Sequence, residues 1–239
     1  MPSTLSSGDS MGIPRAARVP TAEPLRWPSS DARAWAEGAF SELCASPNVL
    51  ALVLFGSSVR PVESSFDLDC LFVYQGDRPV LPAAPMEVDV RAYPADQVDR
   101  LIEEGHDLLG WCIRFGRVVC EREEYWTRLT ERWQASLPFP SAEVADQRAE
   151  AAERLAAELE EIGDEDAAVE QTVSAATHRA RAALIRAAVF PASRPELPAQ
   201  LRQIGARRLA SNLEKVLALR SALAREYLGI SAEPARGAA

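Results

Sequence analysis

The chain has 239 residues, is 47% hydrophobic and carries a formal net charge of −9 at pH 7. It is long enough to bury one large core or two modest ones. Its negative charge argues against non-specific binding to nucleic-acid backbones, which depends on many basic side chains neutralising phosphates. The longest apolar run is the seven residues 49–55, far short of the ~20 that a membrane helix requires. No charged start followed by an apolar block opens the chain, so a cytoplasmic protein with no membrane partner is expected.

In chain order, residues 1–28 are rich in Ser, Pro and Gly and read as a mobile arm. Ser30 or Asp31 can cap a helix carrying Trp35, Phe40 and Leu43, which ends before Pro47. A strand is predicted over 49–55, a turn at Gly56-Ser57, a second strand over 67–74 and, after the loop GDRPVLPAAP, a third over 87–93. Pro94 opens a helix through Glu104, GRVVC at 116–120 reads as a short strand, and a helix follows over 122–135. The four cysteines, at 44, 70, 112 and 120, form no CxxC pair and have no histidine pair nearby. They are expected to be reduced residues in or near the core.

Beyond Pro140 the pattern becomes helical. Val144, Leu155, Leu159 and Ile162 recur at helical spacing up to Gly163, a second helix runs over 166–190, and PELPAQLRQIG starts a third with Pro198 near its first turn. Leu209, Leu213, Val216, Leu223 and Tyr227 stripe a fourth. The expected fold class is α+β, a mixed β-sheet flanked by helices and followed by an α-helical bundle. The expected divisions are an arm over 1–28, an α+β domain over 29–138, a helical domain over 139–230 and a tail over 231–239.

The chemistry concentrates in the strands. Asp67 and Asp69 are two apart on a strand and share a face, and at ~4 Å two such charges repel by roughly 4 kcal/mol at an effective dielectric near 20. A cation, a shared proton or exposure must offset that. Asp89 in MEVDVRAY can lie beside them if the second and third strands are neighbours, and three convergent carboxylates suit Mg²⁺. Gly56 lets backbone approach an anion closely, and Ser57 with the following amides can hold phosphate oxygens. Together these parts fit metal-assisted phosphoryl or nucleotidyl transfer.

Gly56-Ser57, nine intervening residues, Asp67-Leu68-Asp69 and the later Asp89 resemble the signature of the nucleotidyltransferase superfamily related to DNA polymerase β. The segment PADQVDRLIEEGHDLLGWCIRFGRVVCE is similar to the helix, helix and short strand that often follow it, so the resemblance covers residues 31–135. The segment between Ser57 and Asp67 is one residue short of the family pattern, and Phe66 stands where the family usually has serine. The resemblance implies an enzyme that moves a nucleoside monophosphate, AMP from ATP or another NTP, onto a hydroxyl of a small molecule or protein. It implies two Mg²⁺ ions held by Asp67, Asp69 and Asp89, with Asp89 as ligand or base, and nucleotide contacts from Gly56, Ser57, Ser58 and Arg60. The alternative is a non-catalytic nucleotide- or protein-binding relative. A homodimer is one arrangement open to it.

Three further readings complete the sequence. Glu63 and Glu87 flank the site as fourth-acid candidates, Glu87 the better placed, whereas His106 reads as a surface residue at a helix start. Over 171–213, Arg179, Arg181, Arg186, Arg194, Arg202, Arg207 and Arg208 stand against one acid, Glu196, either as a solvated face or as a cleft wall meeting triphosphate or an anionic acceptor. SRPELPAQL resembles a segment of the helical domains appended to such enzymes, similar to the substrate domain of kanamycin nucleotidyltransferase or to HEPN. No arginine precedes His178 at the HEPN nuclease spacing, so ribonuclease activity is not expected.

Overall fold

A computed structural model describes residues 26–61 and 67–227, with side chains of the last helix as far as Arg220. The expected arm falls almost wholly outside the described residues, as do the expected tail, Glu63 and Phe66, and the side chains of Leu223 and Tyr227. Among the described residues no helix is long and apolar enough to cross a membrane.

The fold is α+β. Helix α1 (Ser30–Ala45) leads into β1 (Val49–Phe55), and a single 3₁₀ turn (Ser57–Val59) follows it. The α1 cap is Ser29, one residue earlier than expected, its hydroxyl accepting from the Ala32 amide at 3.0 Å. Strands β2 (Leu68–Tyr74) and β3 (Val88–Pro94) come next, then α2 (Ala95–Glu103), α3 (Asp107–Phe115), β4 (Arg117–Glu121) and α4 (Tyr125–Trp133). The four strands form a mixed sheet in the order β3-β2-β1-β4, with β1 antiparallel to both neighbours and β2 parallel to β3. The two central strands read as near-continuous apolar runs because both of their faces are covered. Leu52, Leu54, Leu71 and Phe72 are fully buried, and Leu43, Ile102, Leu109 and Trp126 pack over them.

Cys44 at the end of α1 and Cys120 in β4 are joined in a disulfide, which corrects the expectation that all four cysteines are reduced. Sequence spacing carried no sign of it, because the two are brought together only when α1 lies across the sheet beside β4. Cys70 and Cys112 are free and buried, as expected.

The helical part comprises α5 (Ala142–Glu161), α6 (Glu165–Arg186), a 3₁₀ turn (Arg194–Glu196), α7 (Leu197–Gln203) and α8 (Arg207–Tyr227). Its second core is built from Ala180, Leu184, Leu197, Leu201, Ala210 and Leu213. On α5 the large apolar stripe does not make the contact. Val144, Leu155 and Ile162 are exposed, whereas Ala142, Ala145, Ala149, Ala152 and Ala156 are buried. Alanine faces let α5 and α6 approach closely, and α6 buries Ala168, Ala175, Ala180 and Ala182. Phe190, expected to end α6, lies past it and inserts into the sheet core, 6.2 Å from the Phe115 ring and 5.7 Å from Phe139.

Arg60, just after β1, reaches Glu196 across 136 residues of chain with two hydrogen bonds, 2.9 Å from Nε and 2.6 Å from Nη2. Its guanidinium also lies 4.7 Å from the centre of the Phe115 ring. Glu196 is held in turn by the Ser193 hydroxyl and amide. This bidentate pair and the Phe190 insertion fix the helices against the sheet domain.

Candidate active site

At the C-terminal end of β1 the backbone turns through Gly56 at φ 73°. A Cβ there would sit 1.9 Å from Asp69 Oδ2. The glycine is therefore required twice, by its left-handed conformation and by the carboxylate pressed against it. The turn delivers Ser57, whose hydroxyl donates to Asp67 Oδ1 at 3.3 Å. Asp67 precedes β2 and Asp69 lies within it, paired with Phe55 on one side and Asp89 on the other. The neighbouring strands thus bring Asp69 and Asp89 side by side, as the sequence suggested.

Asp69 is the electrostatic centre of this group. Burial, followed by the charges of Asp67 and Asp89, pushes its carboxyl up to about 8. Burial, followed by the charges of Asp69 and Asp89, raises the Cys70 thiol well out of its ordinary range.

Gly56, Ser57, Asp67 and Asp69 open onto a cavity of about 530 Å³ between the sheet domain and the helices, a volume in the range of small-molecule sites. Three other expected site residues are placed elsewhere. Ser58 is fully buried and donates to the Phe55 carbonyl at 3.1 Å. Arg60 is engaged by Glu196 and does not line the cavity. Asp89 also lies outside the lining and accepts from Arg91 at 2.6 Å. Glu87 is taken by the Ser29 hydroxyl. Among the described residues, no group of three His, Cys, Asp or Glu side chains is gathered closely enough to hold a metal ion.

The opposite wall is basic. Arg148 of α5, His178 and Arg181 of α6, Arg194 of the 3₁₀ turn and Arg220 of α8 all line the cavity. Burial, then the charge of Arg220, lowers the Arg194 guanidinium, while Asp67, Glu170 and Asp69 act in the other direction. Arg194 thus faces the carboxylates across the space. Burial, with Arg181 and Arg148, lowers the His178 imidazole to about 4, so it is neutral at pH 7. His106 caps α3, its Nδ1 accepting from the Leu109 amide at 3.4 Å, and stands edge-on to Tyr93.

Of the arginines singled out by sequence, only Arg181 and Arg194 reach the cavity. Arg179 is bound to Glu153 and Asp146, Arg186 to Asp146, and Arg202 to Glu214. Arg179 and Arg186 are seven residues apart and share a face of α6, whereas Arg181 is turned about 200° from Arg179. Arg148, Asp107 and Trp111 were not singled out for the site. Their helices carry no motif, and only the packing of α3, α5 and α6 turns them inward.

The chain matches no family model and no curated protein. Among solved structures it is similar to a nucleotidyltransferase-like protein from Exiguobacterium sibiricum 255-15. The two are 16% identical, with 82% of this chain and 77% of that chain covered and a TM-score of 0.33. An overlap so loose transfers no residue role, and the site stands on its own geometry.

Proposed function

We propose that the cavity is the active site of a Mg²⁺-dependent nucleotidyltransferase that moves a nucleoside monophosphate, AMP from ATP, to a hydroxyl acceptor. One observation supports this above the rest: the Gly56-Ser57 turn is packed directly on Asp69 beside Asp67, at the edge of a cavity walled by arginines. Glycine at this point lets the Asp69 carboxylate pack against the turn, whose following amides could hold phosphate oxygens beside the hard oxygen donors of the carboxylates.

The donor set fits Mg²⁺, which takes one or two carboxylates and completes its shell with water and substrate phosphates. Asp67 and Asp69 would hold it, and the crowding of their charges is the cost that a bound cation relieves. When bound, such an ion neutralises charge developing on the phosphates and activates the attacking oxygen. Ser57 orients Asp67, and Arg194 and Arg220, which line the same cavity, would meet a triphosphate bound at the carboxylates. Asp89, in register with Asp69, would join as a second-ion ligand or general base once its ion pair with Arg91 opens.

The engagement of Asp89 by Arg91 also favours a second reading, a non-catalytic nucleotide-binding protein. Mass spectrometry separates the two. Candidate hydroxyl acceptors and the protein itself are incubated with Mg-ATP and searched for added AMP. Transfer by wild type that is lost in Asp69→Asn supports the enzyme. Transfer undiminished in that variant removes the assignment, and Mg-dependent nucleotide binding without any adduct selects the non-catalytic reading.

A further inference from the structure

The basic wall divides into two groups by the charges each group faces. Arg194 and Arg220 belong to the carboxylate end: Asp67 and Asp69 act on Arg194, and Arg220 donates to Glu170 at 2.5 Å. Arg148, His178 and Arg181 belong to the other end, where the facing acid is Asp107 and Arg194 adds its charge from between the two ends. That end is walled by Leu108, Trp111 and Val144, and a guanidinium held there against apolar surface needs a counter-charge.

The acids at that end are already taken. Arg148 is hydrogen-bonded to Asp107, and burial, which alone would raise the Asp107 carboxyl, is outweighed by Arg148 and Arg181 so that it stays ionised. Glu104 accepts from Arg100 at 2.9 Å. Arg181 makes no ion pair or hydrogen bond with another described residue, although it is permanently charged. His178, neutral beside it, offers one N–H to an incoming acceptor atom. The surplus at this end is therefore at least one guanidinium, with Arg194 adding to it and a neutral donor next to it.

We infer that Arg181, His178 and Arg148 form a subsite for an anionic group, a phosphate or carboxylate, on the small molecule that accepts the nucleotidyl group. This rests on the nucleotidyl-transfer reading for the word acceptor, while the anion site itself rests on the cavity alone. A polycationic acceptor would meet Arg181 and Arg148 with no free carboxylate at that end. An acceptor bearing an anion and a hydroxyl would be held by Arg181 at one end and present its hydroxyl toward Asp67 and Asp69.

The chain has only two histidines, His106 and His178, so nuclear magnetic resonance can follow His178 directly, with His106→Gln giving the assignment. The groups facing His178 are Arg181 on its own helix, Arg148 on α5, Asp107 on α3 and Arg194 on the 3₁₀ turn. An anion bound among them favours the imidazolium and moves its pKa upward by roughly one unit or more. Inorganic phosphate is titrated in one arm and acetate in the other, each with and without Mg²⁺ and a non-hydrolysable ATP analogue. The expected result is a saturable shift of His178 by at least one probe that persists with the analogue bound, is lost in Arg181→Gln and returns in part in Arg181→Lys. The better probe names the anion. His178 unmoved by both probes, or a shift that survives Arg181→Gln in a protein with a native circular-dichroism spectrum, overturns the inference. Failure of the analogue to bind while phosphate still moves His178 removes the nucleotidyl-transfer reading and leaves the anion site standing.

Discussion

The two walls of the cavity are built from opposite charge by opposite means. The acidic wall is the end of a sheet: strand alternation and register place Asp69 against Gly56 and beside Asp89, all from three successive strands and their turns. The basic wall is assembled from α5, α6, a 3₁₀ turn and α8, and no two of its arginines lie on the same one of these elements. Acids crowded together repel and want a cation, whereas arginines spread over several helices can surround an anion. The comparison teaches that the site is a charge-separated cleft whose acidic half is fixed by local chemistry and whose basic half depends on docking between the two cores.

The largest effect is expected on the acidic wall. Asp67→Asn or Asp69→Asn should lower transfer by about 10²- to 10³-fold or more, measured as AMP incorporation. Metal-free Asp69→Asn should also melt higher than wild type at pH 7–8. The folded carboxyl titrates near 8 and the unfolded one near its ordinary 3.8, so the wild-type fold loses stability as the pH rises between those values, and asparagine removes that loss. A melting temperature that drops in the variant would break the picture of a repelling cluster.

Gly56→Ala comes next. The added Cβ meets Asp69 Oδ2 at 1.9 Å in a left-handed backbone, which should cost about 1–3 kcal/mol in urea unfolding and displace the carboxylate enough to lower turnover by about 10²-fold. Stability and turnover equal to wild type would show that the turn can relax away from Asp69.

A smaller effect tests the docking that sets the basic wall. Arg60→Gln and Glu196→Gln each break a partly exposed bidentate pair and should each destabilise by about 1 kcal/mol. A much larger loss of nucleotide affinity in Arg60→Gln than in Glu196→Gln would return Arg60 to the nucleotide-contact role that the sequence suggested.

The last effect is a slope with pH. His178 titrates near 4 in the fold and near 6.5 when unfolded, so between those values the unfolded chain binds more protons. Stability is greatest above pH 6.5 and falls as the pH drops toward 4. His178→Gln should flatten that part of the stability profile, and an unchanged slope would mean that the imidazole is not held neutral by burial beside Arg181 and Arg148.

What was legible in the sequence follows the same division. The strands and the Gly56-Ser57 turn could be read because period-two alternation and turn glycines are local signals, whereas the pairing of Asp69 with Asp89 was open until the second and third strands were seen to be neighbours. The engagement of Asp89 by Arg91 could not be read, since it depends on which rotamers meet on the sheet face. The α5 interface was misread for a related reason: large apolar residues weigh most in a periodicity count, yet close helix packing selected alanines and left Val144, Leu155 and Ile162 exposed. The basic excess over 171–213 was visible as composition, but the split between Arg181 facing the cavity and Arg179 and Arg186 paired to α5 appears only when α5 and α6 are docked. The Cys44–Cys120 bond, spanning 76 residues, has no local signature at all.

Calorimetry of a non-hydrolysable ATP analogue, with and without Mg²⁺, tests the central claim most directly when wild type is compared with the Asp67→Asn, Asp69→Asn double variant. Wild type should bind saturably, and binding should weaken by about tenfold or more without Mg²⁺ or in the double variant, about 1.4 kcal/mol or more in binding free energy. Binding of equal strength with and without Mg²⁺, or unchanged when both aspartates are replaced, would contradict that claim.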